Sequence, residues 1–180
     1  MKKLITIALL ALATTTTAHA KIGDTFIDPE FGKITVKAPA FPDDGKTKYE
    51  IVNGERKAIK TPAWNFVMKS ARTYTLVDIA LNKFLKQENK SESDIIKMTK
   101  VFIESLQTLK PMRKTIYLDG YNPEMLFQYG AKIKNIQRAF KYQFWDYLLK
   151  IEGTPEFDQL RNEINFSTQI LKNLKLYEEN

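Results

Sequence analysis

From Asp94 to Leu109 the apolar side chains fall at Ile95, Met98, Phe102, Leu106 and Leu109, a three-and-four spacing that stacks them on one face of a helix. Ser91-Glu92-Ser93-Asp94 supplies an N-terminal capping pattern and Pro111 a stop. The last third repeats this logic more strongly. Asn122-Pro123-Glu124 offers an N-cap, a first-turn proline and an acid suited to the helix dipole. A main stripe of Leu126, Tyr129, Ile133, Ile136, Phe140, Phe144, Tyr147 and Ile151 then runs to just before Gly153. Roughly 28 residues at 1.5 Å each predict a helix of about 42 Å. Thr154-Pro155-Glu156 opens another helix whose inner face is Phe157, Leu160, Ile164, Leu171 and Leu174. The tight break between the two predicts an antiparallel helical hairpin.

Upstream the pattern is less uniform. Lys21 to Phe31 has no clear period and reads as an extended lead-in, whereas Gly32 to Lys37 alternates and is β-branched, as a half-buried strand requires. Pro39 and Pro42 with Asp43-Asp44-Gly45 mark a loop. Lys48 to Val52, Asn53-Gly54 and Glu55 to Lys60 predict a β-hairpin, since Asn-Gly readily takes the positive φ angles of a type I′ turn. Thr61-Pro62 starts a helical composition, but the pattern does not decide between helix and strand for Ala63 to Ala71. Thr75-Leu76-Val77-Asp78 reads as a capping box opening a helix to about Gln87, with Leu76, Ile79, Ala80 and Lys83 or Phe84 at helical spacing. Thr115 to Leu118 fits a short returning strand. The fold class is therefore α+β and predominantly α-helical, with a small N-terminal antiparallel β-hairpin or sheet and four to five helices. Residues 21–180 form a single domain on this reading.

The first 20 residues change the setting. Met1-Lys2-Lys3, an apolar run from Leu4 to about Ala13, and Ala18-His19-Ala20 before Lys21 have the form of a cleaved export signal. The run has about half the 20 apolar residues of a spanning helix. The expected location is periplasmic or secreted, after cleavage near Ala20. Cleavage removes His19, the only histidine, from a chain that has no cysteine. Ser-His-Asp and Cys-His catalysis, His or Cys metal ligation and haem ligation by His are then excluded. No cofactor, metal or catalytic residue is assigned. With Lys2 and Lys3 gone, 26 Lys and Arg face 21 Asp and Glu, a net charge of +5 that suits an acidic protein partner or an anionic envelope component.

The long helix concentrates the candidate chemistry. Lys132, Lys134, Arg138 and Lys141 occur with no acid between Glu124 and Asp146. At about 100° per residue Lys134, Arg138, Lys141 and Trp145 lie within about 60° of one another, with Phe127 on the same line. The functional reading is a partner-binding face of Phe127, Lys134, Arg138, Lys141 and Trp145, cations for charge and aromatics as anchors. The plainer reading is a solvated face whose lysines pair with acids of the last helix such as Glu163, its aromatics belonging to the core. Aromatic residues round more than half of this helix fit a central buried helix, or a cavity for a lipid or other apolar ligand.

Other motifs carry less. Ala40 to Thr47 ends in Gly-Lys-Thr, but Ala40 replaces the first glycine and a strand follows, so it is not a phosphate loop. Asp43-Asp44, Asp24 with Asp28, and Glu156 with Asp158 lack calcium-loop spacing, and the last pair suits a helix start. Export argues against nucleic acid as partner. By elimination rather than from a motif, the chain reads as a non-enzymatic periplasmic binding protein of inhibitor, immunity or assembly-adaptor type. A carrier of apolar ligands and a carboxylate-dependent glycan hydrolase are the alternatives.

Overall fold

The computed structural model describes Gly23 and residues 25–28, 30–35, 45–118 and 123–174. Residues 1–20, where an export signal is expected, the expected loop at Pro39 to Asp44 and the expected N-cap Asn122 lie outside the described residues. Two antiparallel two-stranded sheets precede the helices: β1 (Thr25–Asp28) pairs with β2 (Gly32–Thr35), and β3 (Lys48–Val52) with β4 (Glu55–Ile59). The second is the hairpin expected from Asn53-Gly54, whose φ angles are 54° and 80°. The first contains a strand that the sequence pattern did not reveal, because the lead-in before Phe31 is extended by its partner rather than by its own periodicity.

Four long helical segments enclose the core: α1 (Pro62–Leu85), α2 (Glu92–Leu109), α4 (Pro123–Ala139) with its continuation to Ile151, and α6 (Pro155–Asn173), while the short α3 (Met112–Leu118) follows α2. The continuation consists of a π turn (Phe140–Phe144), α5 (Trp145–Leu148) and a 3-10 turn (Leu149–Ile151). Cross-helix contacts fix the directions. Phe66 meets Tyr129 at 5.7 Å and Phe84 meets Phe144 at 5.4 Å between ring centroids, so α1 and α4 run parallel. Lys100 pairs with Glu156 at 3.4 Å and Lys110 with Glu163 at 3.8 Å, so α2 and α6 are also parallel. Across the Glu152-Gly153 turn the Gln137 amide donates to Ser167 Oγ at 2.7 Å and Thr168 Oγ1 at 3.0 Å, as an antiparallel hairpin requires. The spatial order is thus α1, α2, α6, α4, and the connection from α2 to α4 crosses the bundle diagonally.

Capping follows the expected chemistry at three starts. Thr61 Oγ1 accepts from the Trp64 amide at 3.0 Å, Thr154 Oγ1 from Phe157 at 3.3 Å, and Ser91 with Asp94 completes a capping box. At the other end of α1 the Lys90 ammonium donates to the Leu85 and Gln87 carbonyls, satisfying groups that the helix leaves open.

The structure decides one segment that the sequence left open and departs from two sequence expectations. Ala63 to Ala71 is helix, and α1 runs through Thr75 without a break, because the Thr75 hydroxyl donates to the Ala71 carbonyl instead of capping a new helix. The phase is consequently set from Ala63, and the inward residues are Val77, Leu81 and Phe84. Leu76 and Ile79 point outward, 64% and 61% exposed. Residues 115–118 belong to α3 rather than to a strand. The stripe of α4 is otherwise buried as expected, with Leu148 buried and Tyr147 only partly so.

The sheet of β1 and β2 is held to the bundle by a buried ion pair. The Arg113 side chain is fully inaccessible, and so is that of Asp28. Arg113 Nε donates to Asp28 Oδ2 at 3.0 Å and Nη2 to Oδ1 at 3.2 Å, while Nη2 also reaches Glu30 and Nη1 the Lys110 carbonyl. Asp28 Oδ1 accepts in addition from the Glu30 and Phe31 amides at 2.9 and 3.0 Å, which closes the turn into Gly32. Phe31 and Phe166 flank the guanidinium at 4.6 and 4.8 Å from their centroids. Burial works to raise the Asp28 carboxyl, but Arg113 and the two amides together hold it below its ordinary value of 3.8.

Asp28→Asn should lower stability in urea unfolding by about 3–5 kcal/mol, with the Asp28→Leu/Arg113→Met double variant less destabilised than the sum of its singles. Because the folded carboxyl titrates below the unfolded one, the contribution of Asp28 is present above the ordinary carboxylate value and is lost as pH falls through the folded value. The acid limb of the stability profile should therefore be shallower in Asp28→Asn. Separately, a Cβ at Gly45 would stand 2.6 Å from Val67 Cγ2 and 3.0 Å from the Ala63 carbonyl oxygen, at φ +71°. Gly45→Ala should cost about 1–3 kcal/mol in thermal unfolding, and more than Gly54→Ala, which has open space around its Cβ.

Candidate partner-binding face

α4 is positioned by its apolar stripe: Met125, Leu126, Tyr129, Ile133 and Ile136 are buried, and the Tyr129 hydroxyl donates to the Leu109 carbonyl at 3.0 Å. That anchoring turns the opposite side of the helix outward. Phe127 is 54% exposed, Arg138 and Lys141 are exposed and Lys134 is half-buried. These four residues share one line along the helix, at about 100° per residue. Among the described residues, Lys134, Arg138 and Lys141 take part in no ion pair. Glu163, the acid nearest to hand in the plainer reading, is engaged by Lys110 at 3.8 Å and by the Gln107 amide at 3.1 Å.

The π turn modifies the far end of the row. Its closing bond runs from the Trp145 amide to the Phe140 carbonyl, five residues back, which inserts one residue relative to a regular helix. Residues beyond it are rotated by about 100° from where an uninterrupted helix would put them. Trp145 accordingly sits off the line of cations, its ring edge-on to the buried Phe140 at 5.6 Å and 88°, and remains 37% exposed. Tyr142 takes an exposed position beside Lys141, whose ammonium is 5.3 Å from the ring centroid. The face thus brings together Phe127, Lys134, Arg138 and Lys141, with Trp145 on its flank and Tyr142 added. Tyr142 follows Arg138 by four residues, so helical spacing alone already brings it beside the row.

The remaining aromatics of this helix are core. Phe84, Phe102, Phe140, Phe144 and Tyr147 contact one another at centroid distances of 5.1 to 6.3 Å, in tilted and edge-to-face pairs. A cleft of about 220 Å³ does open between α1 and α2, where Lys83, Phe84, Asp94, Lys97 and Met98 line it. Asp24, Asp43 and Asp44 lie outside the described residues, Asp28 is held by Arg113, and Glu156 pairs with Lys100. Among the described residues no group of three or more acidic, histidine or cysteine side chains is placed to hold a metal ion. No helix among them is long and apolar enough to cross a membrane. Compared with protein-family models, curated proteins and solved structures, the chain matches none.

Proposed function

We propose that the chain is an exported, non-enzymatic binding protein that acts in the periplasm, or after release, by engaging an acidic protein partner through α4. The class is that of an inhibitor or immunity-type protein, or of an envelope assembly adaptor. The observation that carries this reading is the row of Lys134, Arg138 and Lys141, cations without ion-pair partners among the described residues, beside the exposed ring of Phe127. Exposed cations next to aromatic anchors are the combination that protein interfaces use for steering and for affinity. A long helix locked by a full apolar stripe presents such groups with little ordering cost on binding. The export pattern of residues 1–20 and the absence of His and Cys after Ala20 support a binding role over nucleophilic or metal-dependent catalysis.

The triple variant Lys134→Glu/Arg138→Glu/Lys141→Glu should weaken capture of the partner from an envelope extract by at least about tenfold, measured by quantitative co-purification. Its unfolding free energy should stay within about 0.5 kcal/mol of wild type, because none of the three side chains is among the buried residues of the core. Undiminished capture would remove α4 as the binding face.

A further inference from the structure

Charge is distributed unevenly along the chain. Residues 45–86, which comprise the β3–β4 hairpin and α1, hold nine Lys and Arg against Glu50, Glu55 and Asp78. The rest of the chain after residue 20 holds 17 against 18, so the whole positive excess resides in this one segment. Within it, Arg72, Leu76, Ile79, Lys83 and Lys86 are all exposed and fall within about 80° of one another around α1. That line lies opposite the buried side of Val67, Ser70, Val77 and Leu81. None of its three cations joins an ion pair with a described residue. Asp78, the one carboxylate of α1, is about 120° round the helix from the centre of the line.

We infer that the outer face of α1 is a docking surface for an anionic phospholipid bilayer, a second surface distinct from the α4 face and independent of the reading given to it. Leu76 and Ile79 enter the headgroup region while Arg72, Lys83 and Lys86 pair with lipid phosphates on either side of them. The arrangement matches an interfacial helix, aliphatic side chains in the middle and long basic ones around them. A protein groove fits less well, because the line contains no aromatic residue of the kind that dominates protein hot spots. The excess is also spread over more than 40 residues rather than focused on one point, as attraction to a sheet of many headgroups favours.

The test uses the chain starting at Lys21, which retains every described residue, in flotation with vesicles of equal phosphatidylglycerol and phosphatidylcholine against vesicles of phosphatidylcholine alone. Binding is expected to the anionic vesicles only, weakening as salt is raised. Arg72→Glu/Lys83→Glu should reduce it by at least about tenfold. Leu76→Ser/Ile79→Ser, which leaves the charge unchanged, should also reduce it severalfold, whereas Arg138→Glu/Lys141→Glu should stay within about twofold of wild type. Equal binding to both vesicles would overturn the inference. So would full binding by the Leu76/Ile79 variant, or a loss in the α4 variant as large as in the α1 variant. Circular dichroism on each variant establishes that the helices are intact.

Discussion

A guanidinium removed from water must find an acceptor for each nitrogen, and Arg113 meets this requirement with groups that are far apart in the chain. Asp28 and Glu30 come from the first hairpin, the Lys110 carbonyl from the end of α2, and the flanking ring of Phe166 from α6. An uncompensated buried charge is costly, so Arg113 ties these segments to one another. The same end of the bundle holds the start of α1, where Gly45 lies against Ala63 and Val67. In a chain without cysteine, this cluster joins a short sheet to the helical body.

The diagonal passage from α2 to α4 has a related consequence. It makes α1 and α4 parallel neighbours, each burying one side in the bundle and turning the other outward. The aromatic residues do the opposite work: Phe84, Phe102, Phe140 and Phe144 interlock across three helices and fill the centre. What this packing turns outward is available to the proposed interactions. On α4 that is a basic row beside Phe127, and on α1 a basic line around Leu76 and Ile79.

Much of this was legible in the sequence where a local rule was decisive. Ser91 with Asp94, Thr154 with Pro155, and Asn53-Gly54 each specify a cap or turn by their own chemistry, and each forms. The stripe of α2 and most of that of α4 were readable because long periods average out single exceptions. Failures occurred where two local signals competed or where a contact spans the chain. Thr75 to Asp78 resembles a cap, yet the helix already running from Pro62 continues through it, and this one error turned Leu76 and Ile79 from outward to inward residues. β1 pairs with residues 4 to 10 positions away and Asp28 with Arg113, 85 positions away, and no periodicity encodes either contact. Of the α4 face, Phe127 and the three cations were placed by helical spacing alone, while the position of Trp145 depended on a π turn that the residue pattern does not announce.

The proposed role is to hold another macromolecule rather than to turn over a substrate. Native mass spectrometry of the chain purified gently from its own envelope fraction tests this most directly, since it registers bound mass without assuming a ligand. The account predicts a stoichiometric protein adduct that dissociates as ionic strength rises. A bare chain, or one carrying only small apolar molecules, would contradict it.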